Sequence, residues 1–132
     1  FRQAVDYAID RNDMVQNILL GIGAPLFTAE SLSSRFLNQS LAQGHPKDLN
    51  RSRELLKKAG FKWNAEGQLL DAENNLVEFT LMTNTGNDQR EATGVNIKKD
   101  LEALGMKVNF KPTDFNVLVG KMNTSEWEAL IM

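Results

Sequence analysis

The sequence predicts an α/β fold built on a βαβαβ unit in residues 77–132. Three observations predict it. Residues 77–83 are a short apolar run, with Val77, Phe79 and Leu81 on one face of a strand and Thr80 and Met82 on the other, so both faces are expected to be covered. Ile97, Leu101 and Leu104 then recur at helical spacing, and Met106, Val108 and Phe110 alternate with Lys107, Asn109 and Lys111 as on a half-buried strand. Right-handed crossovers between such strands make them parallel, and the simplest arrangement has 77–83 between the other two.

Taken in order, Phe1, Ala4, Val5, Ala8 and Ile9 predict an amphipathic helix from the first residue. Asp10 caps a second helix that buries Met14, Val15, Ile18 and Leu19 and ends at Gly21. The span 21–44 opens on the breaker cluster Gly-Ile-Gly-Ala-Pro and holds a short helix near 35–41. Asp48 or Asn50 caps the next helix, with Leu55, Leu56 and Ala59 inward and Gly60-Phe61 as its C-terminus. Residues 68–70, a turn at Glu73-Asn74-Asn75 and the strand from Val77 read as a hairpin, with Asn75 in the left-handed conformation. The strand breaks into Asn84, Thr85, Gly86, Asn87 and Asp88. Gly86 bends the backbone, and Asn87 or Asp88 caps a helix over 88–104. Gly94 lets that helix approach the sheet, and Gly105 ends it. Pro112 stops the strand that follows. Asp114 caps a helix with Phe115, Leu118, Val119 and Met122 on one face, and 127–132 is the last strand.

With 132 residues, 42% hydrophobic and 24% charged, the chain is one domain's worth of sequence with a globular core. A net charge of −2 gives no electrostatic reason for a nucleic-acid or anionic-membrane partner, and Lys57-Lys58 and Lys98-Lys99 read as solvated helix faces. The absence of cysteine excludes disulfides and cysteine catalysis in this stretch. No apolar run approaches a membrane span. The chain opens on Phe1 inside a helix and stops on an apolar strand, so an excised fragment is expected and the missing signal peptide says nothing about export.

Few residues suggest chemistry. His45 is the one histidine, in a Gly-His-Pro loop, and reads as a surface residue without partners for a metal. Gly21-Ile-Gly23 follows a helix and lacks the third glycine of a dinucleotide fingerprint, while Asp71-Ala-Glu-Asn-Asn75 has Leu76 where a calcium loop needs glycine. Asp10, Asp48, Asp88 and Asp114 fall at helix starts, where structural duty explains them, and no pair of carboxylates is set up for acid/base catalysis. The exception is the loop Asn84, Thr85, Gly86, Asn87, which lies at the carboxyl end of the central strand beside whatever follows Met132, at a topological switch point. Its amides, hydroxyl and helix N-terminus suit an anionic end of a ligand, and an ordinary β-to-α turn explains them equally well.

Phe-Arg-Gln-Ala-Val-Asp-Tyr-Ala-Ile-Asp-Arg at 1–11 resembles a segment of the family 5 extracellular solute-binding proteins, the dipeptide- and oligopeptide-binding components of ABC importers. The resemblance continues in register through Ile18-Leu-Leu-Gly-Ile-Gly-Ala-Pro25, Glu54-Leu-Leu-Lys-Lys-Ala-Gly-Phe61 and Leu81-Met-Thr-Asn-Thr-Gly-Asn87 with Arg90. It extends through Leu101-Glu-Ala-Leu-Gly-Met-Lys-Val108, Asp114-Phe-Asn and Trp127-Glu-Ala-Leu-Ile-Met132. Each motif alone is weak, and the ordered set is specific. The resemblance implies one α/β lobe of a type II periplasmic-binding-protein fold, residues 1–132 forming a single lobe of a larger two-lobed protein that closes over its ligand. By position it assigns Asn84, Thr85, Gly86, Asn87 and Met132 to the cleft. The aspartate that commonly holds a peptide's amino terminus would lie past Met132. The sequence departs from the family in having no proline over 26–44, Leu49 where proline is common and Asn75 where a turn glycine is common. The first departure bears on ligand choice, since relatives also take nickel, sugars and other solutes.

The resemblance therefore implies a binding protein without a catalytic step or cofactor, periplasmic or otherwise extracytoplasmic, anchored lipoproteins included. Its partners would be a small peptide or other small solute and an ABC permease, with no nucleic acid. Two rivals carry other expectations. A nucleotide- or phosphate-using α/β enzyme would use 84–88 as its anion loop but lacks a phosphate motif, and a non-transport receptor on the same fold would expose an apolar patch away from the cleft.

Overall fold

The structure, a computed structural model, describes residues 1–132 with the exception of the Leu41 side chain. Helix α1 (Arg2–Ala8) begins one residue later than the apolar pattern, with Phe1 as its N-cap. Ala4 and Ala8 are fully buried against helix α4 (Leu49–Lys58). Their lack of bulk brings the two helices close enough for Ser52 Oγ, itself buried, to donate to Ala4 O at 2.7 Å. Helix α4 starts at the Asp48 cap and ends in a Schellman turn, where Gly60 takes φ 88° and Phe61 N donates to Leu56 O at 3.0 Å.

Helix α2 (Arg11–Asn17) has the expected Asp10 cap but stops before Ile18. Leu20 already has φ 53°, and Gly21 N closes back onto Val15 O, so Ile18 and Leu19 belong to the turn and only Val15 is fully buried. The short helix of the following span is α3 (Gln39–Ala42), later than expected because Asn38 caps it through Ser40 N.

The expected hairpin is present but reduced to one bridge, with Asp71 N donating to Asn75 O and Val77 N to Leu69 O, both at 2.9 Å, and a further hairpin precedes it. Strand β1 (Lys62–Trp63) pairs antiparallel with β2 (Leu69–Leu70), and the link between β2 and the following segment is the single bridge Leu70↔Leu76. Within that second turn Asn74, not Asn75, is left-handed, at φ 71°. The Asp71 carboxylate sets this, accepting from the backbone of Glu73 and Asn75 and from the Asn75 amide.

The βαβαβ unit is as expected in order and direction. Strand β3 (Glu78–Asn84) leads through α5 (Asp88–Glu102) to β4 (Lys107–Thr113), then through α6 (Phe115–Thr124) to β5 (Ala129–Leu130). The sheet order is β4-β3-β5, all parallel. Three details differ from the sequence reading. Pro112 lies inside β4, paired with Thr83, because β4 is an edge strand and its missing N–H interrupts no second ladder. β5 is confined to two residues, leaving Trp127 exposed. Phe115 is half exposed, so α6 is anchored by Leu118, at 0% exposure.

The core lies on the α1 and α5 side of the sheet, where Leu81, Leu101, Leu104, Met106 and Val108 join Ala4, Ala8, Leu56 and Leu69. Burying each leucine there contributes about 1.5–3 kcal/mol. Gly94 on α5 meets the Phe110 ring of β4, whose Cε2 would lie 2.1 Å from an added Cβ, which is why this helix turn carries no side chain. Lys98 is not simply solvated: half-buried, it donates to Val108 O at 2.7 Å and to Glu102.

Acid should loosen this fold. Hydrogen bonds from Asn96 and Asn17 hold Asp13 below the usual aspartate value, the Asn75 amide does so for Asp71, and Asn109 and Lys107 do so for Glu78. A carboxyl whose folded value is depressed stabilises the fold above its unfolded value and loses that contribution as pH falls through the folded one. Urea midpoints should therefore be flat near neutrality and drop on the acid side of the ordinary carboxylate range. Asn96→Ala should flatten that drop, and an unchanged acid limb in this variant would remove Asp13 from the account.

Candidate functional site

The parallel strands end together, and the residues singled out from sequence meet there. Thr85 N donates to Thr113 O at 2.9 Å, tying the loop after β3 to the end of β4. On the other side Ile131 N donates to Met82 O, and the buried Thr83 hydroxyl donates to Ile131 O at 3.1 Å. Met132, half exposed, thus follows at the level of Asn84. Asn84, Thr85, Gly86, Asn87 and Met132 are brought to one end of the sheet because three parallel strands place their carboxyl ends side by side.

Within the loop most polar groups already have partners. Asn87 caps α5 by accepting from Arg90 N at 3.0 Å, which leaves Asp88 as an exposed first-turn residue. Gly86, at φ 78°, turns its N–H to the Glu91 carboxylate at 3.0 Å. Asn84 donates to Thr85 O and accepts from Arg90 Nη1 at 2.7 Å. The loop is therefore less donor-rich than its sequence suggests, since Glu91 occupies one amide and Thr113 another. Sequence reasoning gave no site role to Arg90 and Glu91. The helical step from Asn87 to Arg90 and Glu91 was the available signal, because residues three and four along a helix return to the same face.

The surroundings are open. Phe115, 50% exposed, directly follows the Asp114 cap and so borders the end of β4. Two grooves lie elsewhere on the sheet: one of 460 Å³ lined by Phe1, Val5, Ile9, Phe79 and Ile131 on the α1 side, and one of 420 Å³ lined by Thr80, Met82, Lys111, Lys121 and Trp127 under α6. Neither includes Asn84 to Asn87. Asp10, Asp48 and Asp114 all serve as helix caps, as expected. His45 does not behave as a plain surface residue, for its ring pairs with Asp6 at 2.9 Å and its side chain is 22% exposed.

An open parallel sheet with a polar loop and an exposed apolar rim at its carboxyl ends belongs to the class of α/β folds that bind ligands outside the strand ends. The chain belongs to the bacterial extracellular solute-binding proteins, family 5 (Middle), which match residues 1–132. It is 30% identical over 142 aligned residues to the oligopeptide-binding protein AppA of Bacillus subtilis, covering 99% of this chain and 25% of the relative. The structure of the oligopeptide-binding protein AppA from B. subtilis in complex with a nonapeptide superposes with a TM-score of 0.87 at 31% identity, over 99% of this chain and 27% of that one. NikA from Brucella suis in complex with Fe(III)-EDTA shares the fold at a TM-score of 0.88 and 17% identity, over 98% and 26% of the two chains. The chain thus spans about a quarter of the length of these relatives.

Proposed function

We propose that residues 1–132 form a single lobe of a two-lobed solute-binding component of an ABC importer. In this reading the protein captures short peptides outside the cytoplasm and passes them to a membrane permease. One observation carries it: the match to AppA runs through nearly the whole chain at an identity that reaches beyond fold alone, and that protein is an oligopeptide binder. Asn84, Thr85, Gly86, Asn87 and Met132 would face the ligand from this lobe. Peptide backbone would exchange hydrogen bonds with the Asn84 amide and Thr85 hydroxyl, and Phe115 and Met132 would offer apolar contact to side chains. Closure would be favoured by ligand because contact with both lobes exists only in the closed state.

Native mass spectrometry of the intact protein as purified, before and after mild unfolding, tests the ligand class. A ladder of small peptide masses is expected, and a single non-peptide mass would overturn the substrate. The loop is tested separately by calorimetry with a captured peptide. Asn84→Ala should weaken binding about three- to tenfold, the range for one lost hydrogen bond. Asn87→Ser is the better partner variant than Asn87→Ala, because it keeps the α5 cap while changing the side chain. Unchanged affinity in both variants would take the loop out of the site.

A further inference from the structure

Arg90 is at odds with its place in the helix. It is the third residue of α5, in the turn where the aligned peptide dipoles disfavour a positive charge. Asp88 and Glu91 are the acids that such a turn favours, and Glu91 has a further use in accepting from Gly86 N. Arg90 is half-buried and, among the described residues, pairs with no carboxylate. Helix stability and ion pairing therefore leave it unexplained.

What Arg90 does is tie the loop. Its backbone N–H donates to Asn87 Oδ1 at 3.0 Å, and its guanidinium Nη1 donates to Asn84 Oδ1 at 2.7 Å. The second bond joins the last residue of β3 to a helix residue six positions on. It also sets a polarity. A guanidinium has donors and no acceptor, so the Asn84 amide turns its oxygen to Arg90. The amide nitrogen donates to Thr85 O at 3.1 Å and keeps one further N–H. Arg90 and Thr85 thus hold the two ends of one amide, and loss of the arginine frees the oxygen end.

We infer that Arg90 is a positioning residue for solute binding that acts through Asn84. It holds the amide so that this lobe presents a hydrogen-bond donor to a carbonyl or carboxylate oxygen of the solute. The inference rests on the reading that the 84–87 loop faces the solute. Two physical gains follow from the contact. A side chain already held in its bound orientation loses less freedom on association. A charged donor on the oxygen also polarises the amide, which makes the remaining N–H a stronger donor.

The test is a double-mutant cycle read by calorimetry on the intact protein, with a synthetic copy of the most abundant peptide recovered from it by mild unfolding. Arg90→Met keeps the stem of the side chain and should weaken binding by about three- to tenfold, no more than Asn84→Ala does. In the Asn84→Ala background the same change should leave affinity within about twofold. Arg90→Lys, which keeps a charged donor, should recover most of the loss. Asn84→Asp keeps the oxygen that Arg90 holds and replaces the donor with a second oxygen. It should bind more weakly than Asn84→Ala while its urea midpoint does not fall. Equal losses from Arg90→Met in both backgrounds would mean direct contact with the solute and overturn the inference. An Arg90→Met variant that binds like the wild type, beside a weakened Asn84→Ala, overturns it alone. Unchanged affinity in Asn84→Ala is the separate failure of the loop reading and takes the inference with it. Asn84→Asp decides the matter if an Arg90 variant does not fold, and wild-type affinity in it overturns the inference.

Discussion

Gly105→Ala is expected to lower stability by about 2–5 kcal/mol, through two costs that add. Gly105 has φ 88°, a conformation in which a side chain is strained by about 1–2 kcal/mol. An added Cβ would also lie 2.3 Å from Gly67 O and 2.9 Å from Leu69 N, atoms of backbone that cannot rotate away. Those atoms belong to the β1–β2 hairpin, which docks here through Leu69 N to Gly105 O at 2.7 Å and Trp63 Nε1 to Leu104 O at 2.6 Å. The substitution therefore pushes the hairpin off the α5–β4 turn as well as straining that turn. Gly67→Ala is the control: φ is 80° but nothing lies within 4 Å of its added Cβ, so only the conformational cost of about 1–2 kcal/mol applies. Denaturant midpoints of the two variants of the intact protein check this, and equal losses would show that the close approach carries no weight.

The second large effect concerns a charge hidden in the fold. Asp100 on α5 is 2% exposed and fully partnered: one oxygen accepts from Asp10 N at 2.8 Å and the other from Lys47 Nζ. It joins α5 to the α1–α2 junction and to the strand of chain entering α4. Lys47→Met removes the counter-charge and leaves a buried carboxylate with one hydrogen bond, which should cost about 3–5 kcal/mol. Asp100→Asn keeps an acceptor for Asp10 N and removes the charge, so its cost should be smaller, about 1–2 kcal/mol. A double-mutant cycle with Lys47→Met and Asp100→Leu should show coupling beyond about 1 kcal/mol. Additive losses would mean that the pair is an incidental contact.

Much of the local structure was legible because its causes act within one or two turns of chain. Asp10, Asp48 and Asp114 cap helices through amides two or three residues away, and Gly60 terminates α4 beside Phe61 for the same short-range reason. The alternation of helix and strand periods over 77–132 settled the direction of the strands, and β3 lies in the middle as expected. Pairings that join distant residues were less legible. The β1–β2 hairpin, which precedes the expected one, is held by the 64–67 turn and, from a distant part of the chain, by the Gly105 turn. Asp100 stands next to Leu101 with nothing in its own helix to mark it, and its partners lie 90 and 53 residues away.

The candidate site divides in the same way. Periodicity determined that a polar loop, Asn84 to Asn87, would stand at the carboxyl end of a parallel strand, because alternating strand and helix spacing calls for right-handed crossovers, and the simplest such arrangement puts that strand in the middle. The tertiary structure alone decided what the loop can still offer. Thr113 arrives from β4 to take the Thr85 amide, and Glu91 and Arg90 turn back from α5 onto Gly86 and Asn84. The same holds for His45, whose sequence neighbours describe an ordinary loop and whose ring pairs with Asp6, a residue 39 positions away on α1. A backbone preference is a property of a few consecutive residues. The occupancy of a donor, or the partner of a ring, depends on which distant atoms the finished packing brings within 3 Å.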